Sequence, residues 1–286
     1  MQSQLVFREK NEIKRLRVQI DLLSSYEAPI LAQIFSEGRN LSILDIGCND
    51  GKKTVERFSS ESVSQVIGLE YNEELATKAQ RTYGNGQFSF YRLDVEAEDF
   101  AERLCEIMKE KKIDRFDMIY LSFVLMHLSD VKRLLESVYP FLKENGKLFI
   151  IEANDSASTL SNDKNGLVAE FMEILKKDKY SGNRVLGKNI CEVISDSGYN
   201  DICVWYDAIS AGEGEKEKKE AIFTTFFTYL PEDILLLLDA EPGNEEYKSW
   251  SAWIDLKFKT LKRLILQEKS VISMGLKILT CKKGKE

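Results

Sequence analysis

The stretch Leu41–Gly51, LSILDIGCNDG, decides the fold of this chain, because a short apolar run closes there on a tight segment with two glycines. A glycine directly after a buried strand lets the backbone turn sharply and approach a ligand closely, since it has no Cβ atom. In open α/β sheets, ligands bind beyond the carboxyl ends of the strands, near the point where strand order reverses. Gly47 and Gly51 therefore predict a strand, a ligand-binding loop and a helix, in that order.

The sequence that follows repeats this alternation of strand and helix. Strand-like apolar runs occupy Val63–Leu69, Phe88–Leu93, Phe116–Leu121 and Lys147–Ile151, and helical patterns occupy about Lys52–Phe58, Asn72–Thr82, Ala97–Lys111 and Val131–Leu142. Such alternation is typical of parallel β-α-β units. We predict an α/β fold, a Rossmann-like, doubly wound and mostly parallel seven-stranded sheet, with an N-terminal helix and a helical insertion as cap.

The same patterns predict three parts of the chain. Apolar residues recur at helical spacing up to Gly38, which predicts an N-terminal helical lid over residues 1–38. A helix at Lys188–Ser197 and strands at Ile202–Tyr206 and Val271–Thr280 extend the core, which we assign to residues 39–210 and 270–286. Between the two late strands the pattern is helical and aromatic, so residues 211–269 are predicted to form an inserted cap.

Composition and charge narrow the function classes. The formal net charge of −7 disfavours a nucleic-acid binder, which needs a basic face. Five scattered cysteines without a C-x-x-C pair indicate reduced thiols and neither a disulfide framework nor a metal site. The N-terminus carries charges where a signal peptide needs an apolar run, and the densest apolar stretch, Ile234–Leu238, is too short to span a bilayer. These observations predict a cytoplasmic protein that does not act on membranes.

The spacing of the loop residues indicates which nucleotide-type ligand binds. A dinucleotide fingerprint that starts at Gly47 requires glycines where this chain has Asn49 and Lys52. A methyltransferase loop has glycines at the first, third and fifth positions, and Gly47 and Gly51 supply two of these three. S-adenosylmethionine lacks a pyrophosphate but has a ribose diol, and Glu70 ends the second predicted strand, where it can accept hydrogen bonds from that diol.

With these motifs, the chain resembles class I S-adenosylmethionine-dependent methyltransferases, in particular the small-molecule type related to ubiquinone and menaquinone biosynthesis. The resemblance covers about Glu12–Ile151 and resumes at Gly187–Val204. It implies S-adenosylmethionine as cofactor. By position, Asp45, Gly47 and Gly51 frame the methionine end, Glu70 holds the ribose hydroxyls, Asp94 and Val95 meet the adenine, and Ser122 and Phe123 line the floor beneath the sulfonium. Asn49 and Tyr71 are further expected cofactor contacts, and Gln19 and Tyr26 reach the cofactor from the N-terminal helix.

One residue departs from the family pattern. Asn49 replaces the middle glycine of the loop, so the loop must form with a side chain present. Asparagine tolerates left-handed backbone angles better than most residues, which keeps the loop conformation accessible. The substitution still leaves a second hypothesis open, in which a degenerate methyltransferase serves as a non-catalytic binding or scaffold protein. A methyltransferase with a protein substrate is a third.

Several of these residues also have structural interpretations. Gly47 and Gly51 can punctuate a strand and a helix, and Asp45 can brace the loop without touching a ligand. His127, the single histidine, is the candidate general base, although its apolar neighbours favour a structural, hydrogen-bonded histidine. The aromatic residues of the insertion, among them Phe223, favour core packing, with an acceptor pocket or a homodimer interface as alternatives. We therefore predict methyl transfer to a small organic acceptor.

Overall fold

The computed structural model describes residues 10–284 and, for residues 10, 11 and 13, the backbone alone. Residues 1–9 of the predicted lid lie outside the described residues. The strands are β1 Leu41–Ile46, β2 Val63–Glu70, β3 Phe88–Arg92, β4 Phe116–Ser122, β5 Leu142–Ala153, β6 Thr159–Leu160, β7 Tyr199–Ala211 and β8 Ile272–Lys283. The α-helices are α1 Lys10–Glu37, α2 Lys52–Phe58, α3 Glu73–Tyr83, α4 Phe100–Lys111, α5 Val131–Val138, α6 Leu167–Lys177, α7 Leu186–Asp196, α8 Lys216–Phe227, α9 Leu230–Ala240, α10 Glu245–Trp253 and α11 Lys259–Ile265.

The strands form one sheet in the order β3-β2-β1-β4-β5-β8-β6, and β7 pairs with β8. The pairs β3–β2, β2–β1, β1–β4 and β4–β5 are parallel, which confirms the predicted Rossmann-like α/β fold. The sheet has one strand more than the predicted seven, because the two-residue β6 pairs antiparallel with β8 and is too short to show a period in the sequence. Chain order reverses between β1 and β4, and this reversal is where the fold favours a ligand.

The central strands are buried because helices cover both faces of a parallel sheet. Ile43 and Leu44 of β1, Ile119 and Leu121 of β4, and the β5 run Leu148–Ile151 have no exposed surface. This burial explains why these strands appear in the sequence as continuous apolar runs and not as alternating ones. The core therefore fixes the carboxyl ends of β1 and β4, where the candidate site lies.

The chain divides into two compact units. Of the described residues, the sheet unit comprises 26–152, 186–206 and 277–284, and the helical unit comprises 10–25, 153–185 and 207–276. Helices α8 to α11 lie between β7 and β8 in the chain, at the place of the predicted insertion. The helical unit also contains α6, an element that the sequence analysis did not predict.

One segment, 216–240, is long and apolar enough to cross a membrane by length and composition. It is longer than the apolar run that the sequence analysis considered. Half of its most apolar window is buried, as in the core helix of a globular protein, and the structure divides it into α8 and α9, with Pro231 in the first turn of α9. Length and composition alone are therefore weak evidence for a span.

Candidate active site

The loop after β1 has three left-handed residues at alternating positions. Gly47, Asn49 and Gly51 have φ values of 77°, 52° and 77°. The middle position thus keeps the backbone form that a glycine normally supplies, as expected for asparagine. The Asn49 side chain supports this form, because its Oδ1 accepts a hydrogen bond from the backbone N–H of Asp50 at 2.7 Å. Asn49 therefore holds a left-handed backbone at the position where the family pattern has a glycine.

Gly47 brings this loop against the end of β4. A Cβ atom at Gly47 would lie 2.5 Å from Cγ2 of Val124, two residues beyond the last residue of β4. Gly51 is equally enclosed, since a Cβ atom there would lie 2.8 Å from Cβ of Ala79 and 2.9 Å from Cε1 of Phe90. Both glycines are thus required by close packing as well as by their positive φ. The loop and the β4 end meet at the reversal of strand order, as a ligand site in this fold requires.

Glu70 joins the loop to the end of β2. Its Oε2 accepts from the backbone N–H of Asn49 at 2.9 Å, and its Oε1 accepts from that of Asn72 at 2.9 Å. Burial raises the pKa of Glu70, and these backbone donors act against the rise. An ionised carboxylate has about four acceptor positions, so these bonds leave capacity for a ribose hydroxyl. Glu70 can therefore hold both the loop and a ligand.

Asp45 lies beneath the loop and braces it. Thr54 of α2 donates its hydroxyl to Oδ2 of Asp45 at 2.5 Å, and the carboxylate is 3% exposed. Burial raises the pKa of Asp45 to about 6, while Arg57 and the Thr54 hydrogen bond lower it. The structure thus gives Asp45 the bracing role. Its contact with the cofactor stays a prediction.

The end of β4 contains a strained residue. Phe123 has a φ of 54°, which is unfavourable for a bulky side chain, and its backbone N–H donates to the Ile151 carbonyl at 2.9 Å. Such strain concentrates at ligand sites, where the surroundings force it. Ser122 and Phe123 are both half-buried. Their position beside the loop agrees with the floor that the resemblance implies, although the backbone angle was not foreseeable from the sequence.

His127 follows on a short 3-10 helix, Leu125–His127, and is exposed. The helix is anchored below by Glu152, which is fully buried and accepts from the backbone N–H of Met126 at 3.2 Å. Glu152 is not among the site residues predicted from the sequence, because Met126, whose backbone it holds, lies 26 residues away in the chain. An exposed imidazole on an anchored turn can exchange a proton with a ligand.

The other residues that were predicted to contact the cofactor follow β2 and β3 or belong to α1. Tyr71 follows β2 and is 42% exposed. Asp94 follows β3, and its Oδ1 accepts from the backbone N–H of Glu96 at 2.9 Å, while Val95 is half-buried. Tyr26 packs edge-on against Tyr206, with ring centroids 5.0 Å apart. Gln19 belongs to the helical unit, where its Oε1 accepts from Arg15 at 3.2 Å, and its role toward the cofactor stays a prediction.

The helical unit holds a buried charged cluster that the sequence analysis missed. Arg184 binds both carboxylate oxygens of Asp155, at 2.8 and 2.9 Å, and the two side chains are 7% and 4% exposed. The guanidinium carbons of Arg184 and Arg15 lie 6.0 and 5.0 Å from the ring centroid of Tyr229. Burial of ion pairs adds little to stability by itself. No sequence pattern reveals these partners, because they are far apart in the chain.

Because of Asp233, a buried acid in the same unit, we predict that the free energy of unfolding depends on pH. Burial, reinforced by Asp178, raises the pKa of Asp233 from 3.8 to about 8, so the folded protein holds a proton that the unfolded chain releases. Stability therefore falls as the pH rises from about 4 through 8. We expect Asp233→Asn to reduce this dependence and to raise the unfolding midpoint at pH 8, measured by thermal unfolding between pH 5 and 9. An Asp239→Asn control should retain the slope, and an equal slope in both variants would contradict the assignment.

The chain matches a protein family described as a methyltransferase domain over residues 37–225. It is 24% identical over 194 residues to "Phosphoethanolamine N-methyltransferase 1" of Triticum aestivum, which covers 65% of this chain and 35% of that protein. It is 23% identical over 111 residues to "Juvenile hormone acid O-methyltransferase" of Bombyx mori, which covers 38% of this chain and 37% of that protein. The chain thus spans little more than a third of the length of the curated relatives it matches.

The fold is also similar to that of the solved YcgJ protein from Bacillus subtilis. The TM-score is 0.51 and the identity 18%, over 90% of this chain and 98% of that one. This likeness shows the fold, and the family match covers the loop after β1, Glu70 and the end of β4. The left-handed loop, the enclosed Gly47 and the acceptor capacity of Glu70 fit an adenosyl cofactor. The chain belongs to the family described as a methyltransferase domain.

Proposed function

We propose that this protein transfers the methyl group of S-adenosylmethionine to a small organic acceptor. The observation that carries the proposal is the left-handed loop at the reversal of strand order, held to the β2 end by Glu70 through Asn49. Two curated relatives support a small acceptor, since one is named for an amine substrate and the other for an acid. They differ in the atom that is methylated, so the proposal leaves that atom open.

The chain contributes mainly alignment. S-adenosylmethionine supplies an electrophilic methyl group on a sulfonium whose leaving group is a neutral thioether. Asp45, Gly47, Asn49 and Gly51 would hold the methionine end, Glu70 and Tyr71 the ribose, Asp94 and Val95 the adenine, and Gln19 and Tyr26 would contact the cofactor from α1. Ser122 and Phe123 would limit access from below. In-line attack then depends on fixed geometry and on exclusion of water, which can supply much of the rate enhancement.

His127 is the proposed general base for an acceptor that arrives protonated. Because the imidazole is exposed, water can partly replace it, so we expect His127→Ala to lower turnover about a hundredfold, the low end for general bases. Affinity for S-adenosylhomocysteine should stay near the wild-type value. The measurement is kcat on an acceptor that the wild type methylates, with binding followed by calorimetry. Unchanged kcat across the pH range would remove His127 from the mechanism.

The first experiment is thermal unfolding of the purified, ligand-free protein with S-adenosylmethionine, S-adenosylhomocysteine and NAD in turn. A ligand at 100 times its Kd adds about 2.7 kcal/mol to the free energy of unfolding. We expect stabilisation by the two adenosyl compounds and none by NAD. No response to either adenosyl compound would contradict the proposal.

A non-catalytic scaffold is the second candidate, motivated by Asn49. The left-handed angle of Asn49 argues against it, because the middle position keeps the backbone conformation that a glycine would supply. Binding of S-adenosylmethionine without turnover on any small-molecule acceptor would favour the scaffold. Turnover on a protein and on no small molecule would favour the protein-substrate alternative.

Further properties of the protein follow as proposals. The resemblance to ubiquinone-type methyltransferases, the cytoplasmic location and the lack of membrane and nucleic-acid partners are proposed from sequence composition and motifs. The division into lid, core and cap also stays a proposal about function. A homodimer through the cap is supported by two exposed leucines of the insertion, Leu235 at 62% and Leu256 at 78%.

A further inference from the structure

A buried ion pair joins α1 to α2, the helix that starts at the loop. Arg57 of α2 donates from Nε to Oε2 of Glu27 in α1 at 2.5 Å, and the two side chains are 5% and 3% exposed. Lys53 approaches the other Glu27 oxygen at 3.4 Å from a more exposed position, with 20% of its side chain accessible. Removing two charges from water is unfavourable, so such a pair contributes little net stability. Because α2 begins directly after the loop that follows β1, the ion pair has a position from which it can affect the candidate active site.

Arg57 also contacts β4, the strand beside β1 in the sheet. Its guanidinium carbon stands 4.1 Å from the ring centroid of Tyr120, which precedes Ser122 in β4. Thr54, one helical turn before Arg57, donates to Asp45. Arg57 therefore contacts α1 through Glu27 and β4 through Tyr120, and Tyr120 pairs with Asp45 in the neighbouring strand β1. The contact with Glu27 fixes the guanidinium in this position.

The protonation of Asp45 depends on the charged and titratable groups around it, and Arg57 is one of them. The acidic or titratable groups near Asp45 are Glu27 in α1, Tyr120 in β4, Cys48 in the loop and Glu70 in β2, and Arg57 is the cation that faces it. Burial raises the pKa of Asp45 and Arg57 lowers it, so loss of the guanidinium favours the neutral carboxyl. A neutral Asp45 would no longer attract a cation at the loop.

We propose that Arg57, fixed by Glu27, is a positioning residue that keeps Asp45 ionised and so prepares the loop for the cationic amino group at the methionine end of the cofactor. The inference rests on the proposed function. It predicts that the effect of Arg57 is confined to ligands that carry this amino group. S-adenosylhomocysteine carries it, whereas 5′-methylthioadenosine has the same adenosine and sulfur without it.

The test is calorimetric binding of these two compounds between pH 5.5 and 8.5. For the wild type, affinity for S-adenosylhomocysteine should fall as the pH drops through about 6, while affinity for 5′-methylthioadenosine stays level. In Arg57→Gln, affinity for S-adenosylhomocysteine should be at least tenfold lower at pH 7 and should approach wild type at pH 8.5. Arg57→Lys should recover part of the loss. Lys52→Gln is the matched control, since it removes one charge from the same helix but pairs with Glu56 at the surface.

Each outcome separates this inference from the proposed function. Equal binding of S-adenosylhomocysteine by Arg57→Gln and wild type at every pH would overturn the inference, and so would an equal loss for both compounds. If Arg57→Gln does not fold, the wild-type comparison of the two compounds decides, because a level affinity for S-adenosylhomocysteine down to pH 5.5 would exclude the Asp45 charge. Failure of the wild type to bind either compound would refute the cofactor assignment itself.

Discussion

Replacing Glu70 with alanine is expected to abolish the stabilisation by S-adenosylmethionine and S-adenosylhomocysteine. The substitution removes the acceptor for the ribose hydroxyls and also the bonds to the backbone N–H groups of Asn49 and Asn72. A hydrogen bond to a charged group contributes about 1.5–3 kcal/mol, and an orphaned buried donor costs about 1–3 kcal/mol. The sum corresponds to a loss of affinity of more than about a hundredfold.

Glu70→Gln separates the two roles of this carboxylate. Glutamine keeps one acceptor oxygen and offers an N–H donor in place of the other, so it should retain part of the affinity. Glu74→Ala, in the first turn of α3, is the matched control for loss of an acid and should bind as wild type does. The measurement is the unfolding midpoint as a function of ligand concentration. A ligand-induced rise of the midpoint in Glu70→Ala equal to that of the wild type would show that Glu70 does not contact the cofactor.

The parts of the site that depend on local sequence pattern could be predicted from the sequence. The apolar run before Gly47 predicts β1 and its loop, because a buried strand and a following glycine are both visible in the residue types. The left-handed Asn49 is confirmed for the same reason, since the preference belongs to the asparagine itself. Glu70 ends β2 as expected, but its bonds to the loop backbone emerge only from the structure.

The parts that the sequence does not reveal depend on tertiary contact. The strained angle of Phe123 results from its surroundings, since phenylalanine has no preference for a left-handed backbone. Glu27 and Arg57 are thirty residues apart, so no helical or strand period relates them. The same is true of Asp178 and Asp233 in the helical unit. Charged residues in these segments appear in the sequence as exposed positions, and only packing shows that they are buried.

Replacing Gly47 with alanine is expected to remove cofactor binding almost as completely as Glu70→Ala. A left-handed angle costs an ordinary L-residue about 1–2 kcal/mol, and Gly47 has a φ of 77°. The new Cβ atom would also lie 2.5 Å from Cγ2 of Val124, a stiff side chain that cannot move aside. Overpacking of this kind costs about 1–3 kcal/mol. The loop must therefore move away from the end of β4, and we expect this movement to disrupt the cofactor site.

Two further variants show which of these causes acts. Gly47→Ala combined with Val124→Ala removes the clash but not the unfavourable angle, so it should recover only part of the affinity for S-adenosylhomocysteine. Asn49→Gly should bind within about threefold of wild type, because it keeps the left-handed angle and the backbone donor to Glu70. Gly243→Ala is the control, since nothing lies within 4 Å of a Cβ atom there. Wild-type affinity in Gly47→Ala would mean that the cofactor does not depend on the form of this loop.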